Sequence, residues 1–217
     1  MISEVYNMDC MGLLKSTPDN FYDLLIADVP YGIGEDGRNN HSRGKLCKAK
    51  DYRDKGQYDN ESPQLEYFTE AIRVSKNQIF WGANHFISKI PYDSPAWFVW
   101  DKDNGDNDFA DCEIAYTSFK TAIRRYKYRW HGMLQQNMKD KEVRIHPNQK
   151  PIQVNNKLLE LYAKPNDKIL DTHSGSQSLR IACYDKFDYT GCEIDYNYYT
   201  DGEKRFKNHV SQTVIKF

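Results

Sequence analysis

The chain lacks any apolar run approaching ~18 residues, the length that would span a bilayer, so no membrane segment is expected. Its first residues show no basic stretch followed by an apolar one, so no secretory leader is expected. Cysteines are few: Cys10, Cys47, Cys112, Cys183 and Cys192 are odd in number, scattered and without a CxxC pair. That pattern argues against a disulfide framework and a zinc site. It fits reduced thiols in a cytoplasmic protein with no metal. The one GxGxxG match, Gly32-Ile33-Gly34-Glu35-Asp36-Gly37, runs into a segment rich in Gly, Asn, Lys and Asp with no sustained apolar period, so it does not open a helix as the fingerprint of a nicotinamide-dependent oxidoreductase does. No repeat, low-complexity tract or linker divides the 217 residues, a length that suits one domain.

Hydrophobic residues at 39% and aromatics at 14% are enough for a core. The net charge of −1 hides a segregation. Residues 38–55 hold seven basic side chains against Asp51 and Asp54, and residues 120–144 hold eight against Asp140 and Glu142. Basic segments on an otherwise acidic body fit a polyanion-binding face, or else two solvated loops. His41, Arg43, Lys45, Lys48 and Lys50 form the first candidate contact. Arg124, Arg125, Lys127 and Arg129 form the second, interleaved with Tyr126, Tyr128 and Trp130. Such interleaving serves stacking on bases, and alternation in a half-buried strand gives the same pattern.

Short apolar runs at 4–9, 22–27, 78–81, 96–100, 112–118, 168–171 and 188–194 read as strands. Helices are expected at 11–15, 61–74, 151–163, 176–185 and 197–208. Ser62 is suited to cap the second of these, with Pro63 in its first turn. The final β-α-β-α alternation predicts a parallel, doubly wound α/β sheet. Trp81, Trp97 and Trp100 read as core.

Two loops stand out. Asp28-Val29-Pro30-Tyr31 follows the apolar strand 22–27, so an acid, a rigid turn and an aromatic ring sit at a strand's carboxyl end. In open α/β sheets ligands bind there. Asp171-Thr172-His173-Ser174-Gly175-Ser176-Gln177 is a small-residue loop between a strand and a helix, where backbone can approach a ligand closely. About twenty residues past Asp171, Glu193 ends the next strand, well placed for ribose hydroxyls.

Taken with His146-Pro147-Asn148-Gln149-Lys150-Pro151 and the opening Asn7-Met8-Asp9-Cys10, these segments resemble, in order and spacing, the β-class, permuted S-adenosylmethionine-dependent DNA amino-methyltransferases. The resemblance covers almost the whole chain. It departs at Val29, where the family has a proline, at Asn148, where it has threonine, and at Gln177, where a second glycine is common. It implies a seven-stranded, mostly parallel Rossmann-like sheet. It also implies a single methyltransferase domain over 1–217, with basic insertions near 35–60 and 120–145.

The resemblance further implies that Asp28, Val29, Pro30 and Tyr31 are catalytic. Asp171, His173, Ser174, Gly175, Ser176 and Gln177 would wrap the cofactor, and Glu193 would take its ribose. Asp9 and Cys10 would lie beside its adenine, and Gln149 and Lys150 would close the pocket, with Lys150 near the cofactor carboxylate. Double-stranded DNA is the implied substrate, with a homodimer or a separate recognition subunit as partner. The implied reaction moves a methyl group to adenine N6 in a base rotated out of the duplex. Cytosine-N4 methylation is a near neighbour, usually with serine in place of Asp28. A weakened, non-catalytic partner subunit is the alternative of another class. Cytosine-C5 methylation would require a Pro-Cys dipeptide, which the sequence lacks.

Overall fold

The computed structural model describes residues 1–34, 59–105, 110–131 and 134–214. The first half of this chain runs β1 (Ser3–Tyr6), α1 (Cys10–Ser16), β2 (Tyr22–Ala27), α2 (Leu65–Val74), β3 (Ser75–Trp81), β4 (Trp97–Asp101) and β5 (Cys112–Thr117). The second half runs β6 (Arg124–Lys127), β7 (Trp130–His131), β8 (Leu134–Gln135), α3 (Ile152–Tyr162), β9 (Lys168–Asp171), α4 (Ser178–Cys183), β10 (Asp188–Cys192) and α5 (Tyr196–Val214). Eight strands form one sheet in the order β1-β10-β9-β2-β3-β5-β4-β6, and β7 pairs with β8 apart from it. Within the large sheet only the β3–β5 and β5–β4 pairs are antiparallel.

The centre of the sheet follows from β2, which is apolar on both faces. Leu24 and Ile26 point to one side, where Val154 and Leu158 of α3 and Leu179 of α4 cover them. Leu25 and Ala27 point to the other, against Leu14 of α1 and Phe68, Ala71 and Val74 of α2. Period-two alternation thus feeds two cores, as a doubly covered parallel sheet requires. Each fully buried Leu or Ile here contributes roughly 1.5–3 kcal/mol.

From β2 the chain crosses through α2 to β3 on one side, and from β9 it crosses through α4 to β10 on the other. The strand order therefore reverses between β2 and β9, which pair in parallel with Leu24 opposite Ile169 and Leu25 opposite Leu170. A crevice at such a reversal is where doubly wound sheets hold ligands. No helix among the described residues is long and apolar enough to cross a membrane.

Two expectations are corrected, and one of the two readings left open for Tyr126 and Tyr128 is favoured. The sheet has eight strands rather than seven, because residues 124–127 add as a parallel edge strand beside β4. Tyr126 and Tyr128 stack on each other at 6.0 Å and pack against the core, so those aromatics are spent on packing rather than offered to bases. Helix α2 starts at Leu65 with Gln64 as its cap residue. Ser62 instead accepts from Lys89 Nζ through its hydroxyl at 2.8 Å, and the Pro63 carbonyl does so at 2.8 Å. The core reading of the tryptophans holds for Trp81 and Trp100, both fully buried, while Trp97 is half-buried.

Candidate active site

The carboxyl ends of β1, β10, β9, β2 and β3 lie along one edge, since these five strands are mutually parallel. Asp28 leaves β2 at this edge. Its Oδ1 accepts from the Tyr31 hydroxyl at 2.9 Å. The loop itself is held by Asp59, a buried carboxylate whose Oδ1 accepts from the backbone N–H of Tyr31 at 2.6 Å and of Gly32 at 2.8 Å. The Tyr31 ring stacks on His85, with centroids 5.2 Å apart. It lies so close to Gly82 that a Cβ there would sit 2.2 Å from Tyr31 Cε1. Val29, which replaces the family's proline, is buried in the α1/α2 core, so packing restrains a backbone that proline would have stiffened.

Asp28 is also one end of a chain of charges. Lys150 Nζ lies 2.6 Å from Asp28 Oδ2 and 3.0 Å from Glu113 Oε2, and Lys102 Nζ lies 2.6 Å from Glu113 Oε1. Lys150 also reaches the Tyr31 hydroxyl at 3.3 Å and sits 5.2 Å over the Trp81 ring. Burial pushes Glu113 up, but the Lys150 and Lys102 ammonium groups overcome it and hold the carboxyl at about 2. Burial would lower Lys150, yet Asp28 and Glu113 raise it. For Asp28, burial and then the Glu113 charge push upward against the attraction of Lys150, and the upward push wins.

The loop after β9 is a second construction. Asp171 is buried, accepting from the Tyr189 hydroxyl at 2.9 Å and the His173 N–H at 3.2 Å. Burial raises its carboxyl to about 7, with the charges of Asp28 and Glu193 adding to the rise. Burial lowers His173 to about 4, so its ring is neutral near pH 7. The Gly175 N–H donates to Glu193 Oε2 at 2.8 Å, which joins the ends of β9 and β10. Asn7 donates to the carbonyls of Glu193 and Ile194, and Asp9 caps α1 through the Met11 N–H at 2.9 Å. Asp9 and Cys10 therefore stand beside Glu193. Burial pushes both Cys10 and Cys192 up to about 12, so they remain thiols rather than nucleophiles. His146 packs over Gly175, since a Cβ there would meet its ring at 3.6 Å, and so the 146–151 segment closes on this loop.

A family model for DNA methylases of the N6/N4 type matches residues 89–204. The chain belongs to the N6/N4 DNA methylase family. The matched span contains Glu113, Lys150, Asp171 to Gln177 and Glu193, and the Asp28 loop precedes it. Structures of similar fold include the M1.HpyAVI–SAM complex, 19% identical over 94% of this chain and 98% of that one, with a TM-score of 0.58. The modification methylase TTHA0409 from Thermus thermophilus, complexed with S-adenosyl-L-methionine, is 14% identical over 96% of this chain and 95% of that one, with a TM-score of 0.60. The cytosine-N4-specific PvuII DNA methyltransferase is 11% identical over 97% and 91%, with a TM-score of 0.62. At these identities the likeness is one of fold. No curated protein matches the chain in sequence.

Within this methylase fold Lys150 forms ion pairs with Asp28 and Glu113. The Gln149 amide is used by the neighbouring loop, accepting from Ile145 N–H and donating to the Val143 carbonyl. Gln177 adopts a left-handed φ of +57°, the conformation that a glycine supplies without strain. Its side chain is fully buried and turns under the loop, accepting from Arg180 at 2.8 Å, so backbone alone can face a ligand. Arg124, Arg125 and Lys127 are exposed on β6, with Lys127 paired to Asp103 at 2.6 Å. His41, Arg43, Lys45, Lys48 and Lys50 lie outside the described residues. Sequence reasoning passed over Glu113, Lys102, Asp59 and Gly82. Only the close fit of Gly82 had a local signal, a glycine directly after a strand.

Proposed function

We propose that this methylase transfers a methyl group from S-adenosylmethionine to the N6 amino group of adenine in DNA. The observation that carries the reading is the placement of Asp28 and the Asp171–Gln177 loop on neighbouring strands at the point where the sheet order reverses. The site fits the donor. Asp171 is a buried carboxylate whose bonds come from a tyrosine and a backbone N–H; burial, then the Asp28 and Glu193 charges, raise it to about 7, and a cation placed beside it would favour its ionised form. Asp171 and the backbone of residues 173–177 would hold the methionine part, and Glu193 the ribose. When bound, the donor supplies a methyl group already activated on a sulfonium.

The N6 lone pair is delocalised into the purine ring. The Asp28 carboxylate and the Val29 carbonyl accept its two N–H groups, localise the pair and aim it. Asp28 keeps 27% of its side chain exposed, so an extruded base can reach it. Tyr31, backed by His85, offers an aromatic face to that base and offsets part of an unstacking cost of a few kcal/mol. A carboxylate rather than a serine at position 28 favours adenine over cytosine-N4. Arg124, Arg125 and Lys127 would meet DNA phosphates, and binding through them weakens with salt.

The test is methyl transfer to unmodified plasmid DNA, with digestion to nucleosides. N6-methyladenine is expected from the native chain, and Asp28→Ala should lower its rate on the order of 10²–10³-fold, the cost of one lost electrostatic contact. N4-methylcytosine in its place, or full activity in the variant, refutes the assignment.

A further inference from the structure

We infer that Glu113 and Lys150 are positioning residues for the reaction: Glu113 fixes the Lys150 ammonium, and Lys150 fixes the orientation and charge of the Asp28 carboxylate that meets the target amine. This rests on the reading of Asp28 as the N–H acceptor. The geometry is a line of alternating charges, Lys102, Glu113, Lys150, Asp28, with every adjacent contact at 3.0 Å or less. Lys150 is its most buried member, with 8% of its side chain accessible, against 20% for Lys102, 22% for Glu113 and 27% for Asp28 at the crevice end. Lys150 immediately precedes Pro151, the cap residue of α3 with φ −63°, so its backbone is anchored to a helix rather than to a free loop.

An ammonium offers three N–H bonds. Lys150 donates to Asp28 Oδ2 and to the Tyr31 hydroxyl, and Glu113 Oε2 lies 3.0 Å from the ammonium as an ion pair. With Tyr31 on Oδ1 and Lys150 on Oδ2, both carboxylate oxygens are held, and each retains a lone pair for the incoming amine. A role for Lys150 at the cofactor carboxylate would require it to abandon two carboxylates already in contact.

The charged and titratable groups facing Asp28 are Lys150 ahead of α3, Glu113 on β5, Tyr31 on its own loop and Asp171 at the end of β9. Lys150 favours the ionised acceptor, and Glu113 acts against it. The two residues therefore have opposite signatures in a pH profile, which a merely structural pair would not.

The experiment measures kcat and the KM for S-adenosylmethionine from pH 5 to 9, on full-length protein with plasmid DNA. Lys150→Gln should move the acidic limb of kcat to higher pH and lower kcat near pH 7 on the order of 10²-fold, with Lys150→Arg recovering the limb. Glu113→Gln should move the limb to lower pH. KM for the methyl donor should stay unchanged in both. Limbs that do not move, or a raised donor KM in Lys150→Gln with its limb in place, overturn the inference. If Lys150→Gln does not fold, Glu113→Gln decides alone: a limb that stays or rises overturns it. Asp28→Ala, run alongside, separates the failures, because an active Asp28→Ala enzyme removes the underlying reading while an inactive one with unmoved limbs removes only this one.

Discussion

Gly82 offers the sharpest test of how the Tyr31 ring is seated. It follows β3 with φ +65°, and an added Cβ would stand 2.2 Å from Tyr31 Cε1 and 2.4 Å from Cζ. Gly82→Ala therefore carries two separate penalties. The left-handed backbone costs an L-residue roughly 1–2 kcal/mol. Forcing the ring aside is an overpacking change of roughly 1–3 kcal/mol, so the loss should total roughly 2–5 kcal/mol. Gly105 separates the two, because its φ is +72° and nothing among the described residues lies within 4 Å of a Cβ built there. Gly105→Ala should show the backbone cost alone. Urea unfolding of both variants isolates the clash as their difference.

The clash should also vanish when the ring is removed, so Tyr31→Ala in the Gly82→Ala background should show coupling of roughly 1–3 kcal/mol, as for residues in direct contact. Activity should follow, because the displaced ring carries the hydroxyl bonded to Asp28, and kcat should fall on the order of 10-fold for each ~1.4 kcal/mol of lost positioning. Equal stability losses for Gly82→Ala and Gly105→Ala, or no coupling to Tyr31→Ala, would refute this account of the loop.

Two further outcomes follow from the same edge of the sheet. Asp59→Ala removes a buried acceptor from the backbone N–H groups of Tyr31 and Gly32; at roughly 1.5–3 kcal/mol per bond to a charged group, it should cost several kcal/mol and, under the proposed function, lower kcat while calorimetry finds donor affinity unchanged. Asp171 rises from its ordinary 3.8 to about 7, so the folded state binds the extra proton and this group erodes stability as pH climbs from about 4 to about 7. His173 falls from 6.5 to about 4, so the folded state binds fewer protons and this group adds stability over about pH 4 to 6.5, opposing Asp171. Asp171→Asn should thus gain stability across that window more steeply than the native chain in urea unfolding, and parallel profiles would count against it.

How much of this was legible in the sequence depends on the range of the interaction. The strands β2 and β9 coincide with their expected bounds, because both are short apolar runs that end on an acid at or just past the strand. The loops that follow them were also found, since small residues, Pro30 and a strand's end are all local signals. Glu113 was not. It lies near the start of a strand that begins exposed and becomes buried only in its second half, and a lone acid there is indistinguishable from a solvated one until Lys150, 37 positions later, is brought beside it. The motif around Lys150 marks proximity to Asp28 but carries no signal for which carboxylates the ammonium meets in the fold. Gln177 shows the reverse. It stands where a second glycine is common, yet the left-handed turn is retained and the side chain is anchored beneath it by Arg180. No local feature reveals that anchor, since Arg180 is one turn along α4 and is itself held by Ser3 at the far end of the chain.

The charge of the site bears on how it could serve a polyanion. Asp9, Asp28, Asp171 and Glu193 crowd one edge of the sheet, and among their described contacts Lys150 is the cation that reaches any of them closely. Such an edge attracts a cationic methyl donor and repels phosphate. A nucleobase carries no net charge, so in the proposed reaction base extrusion would resolve the conflict: the base would enter the acidic crevice while its phosphates stay outside. The rim must then supply the attraction. Arg124 and Arg125 are exposed on the edge strand β6, which β3, β5 and β4 separate from β2. Arg125 reaches Asp101 only at 4.0 Å, whereas Lys127 is already committed to Asp103 at 2.6 Å. Phosphate affinity on this face should therefore rest on the two arginines more than on the lysine. Under the proposed function, separating basic groups from the acidic crevice would let one chain hold a cation and a polyanion at once.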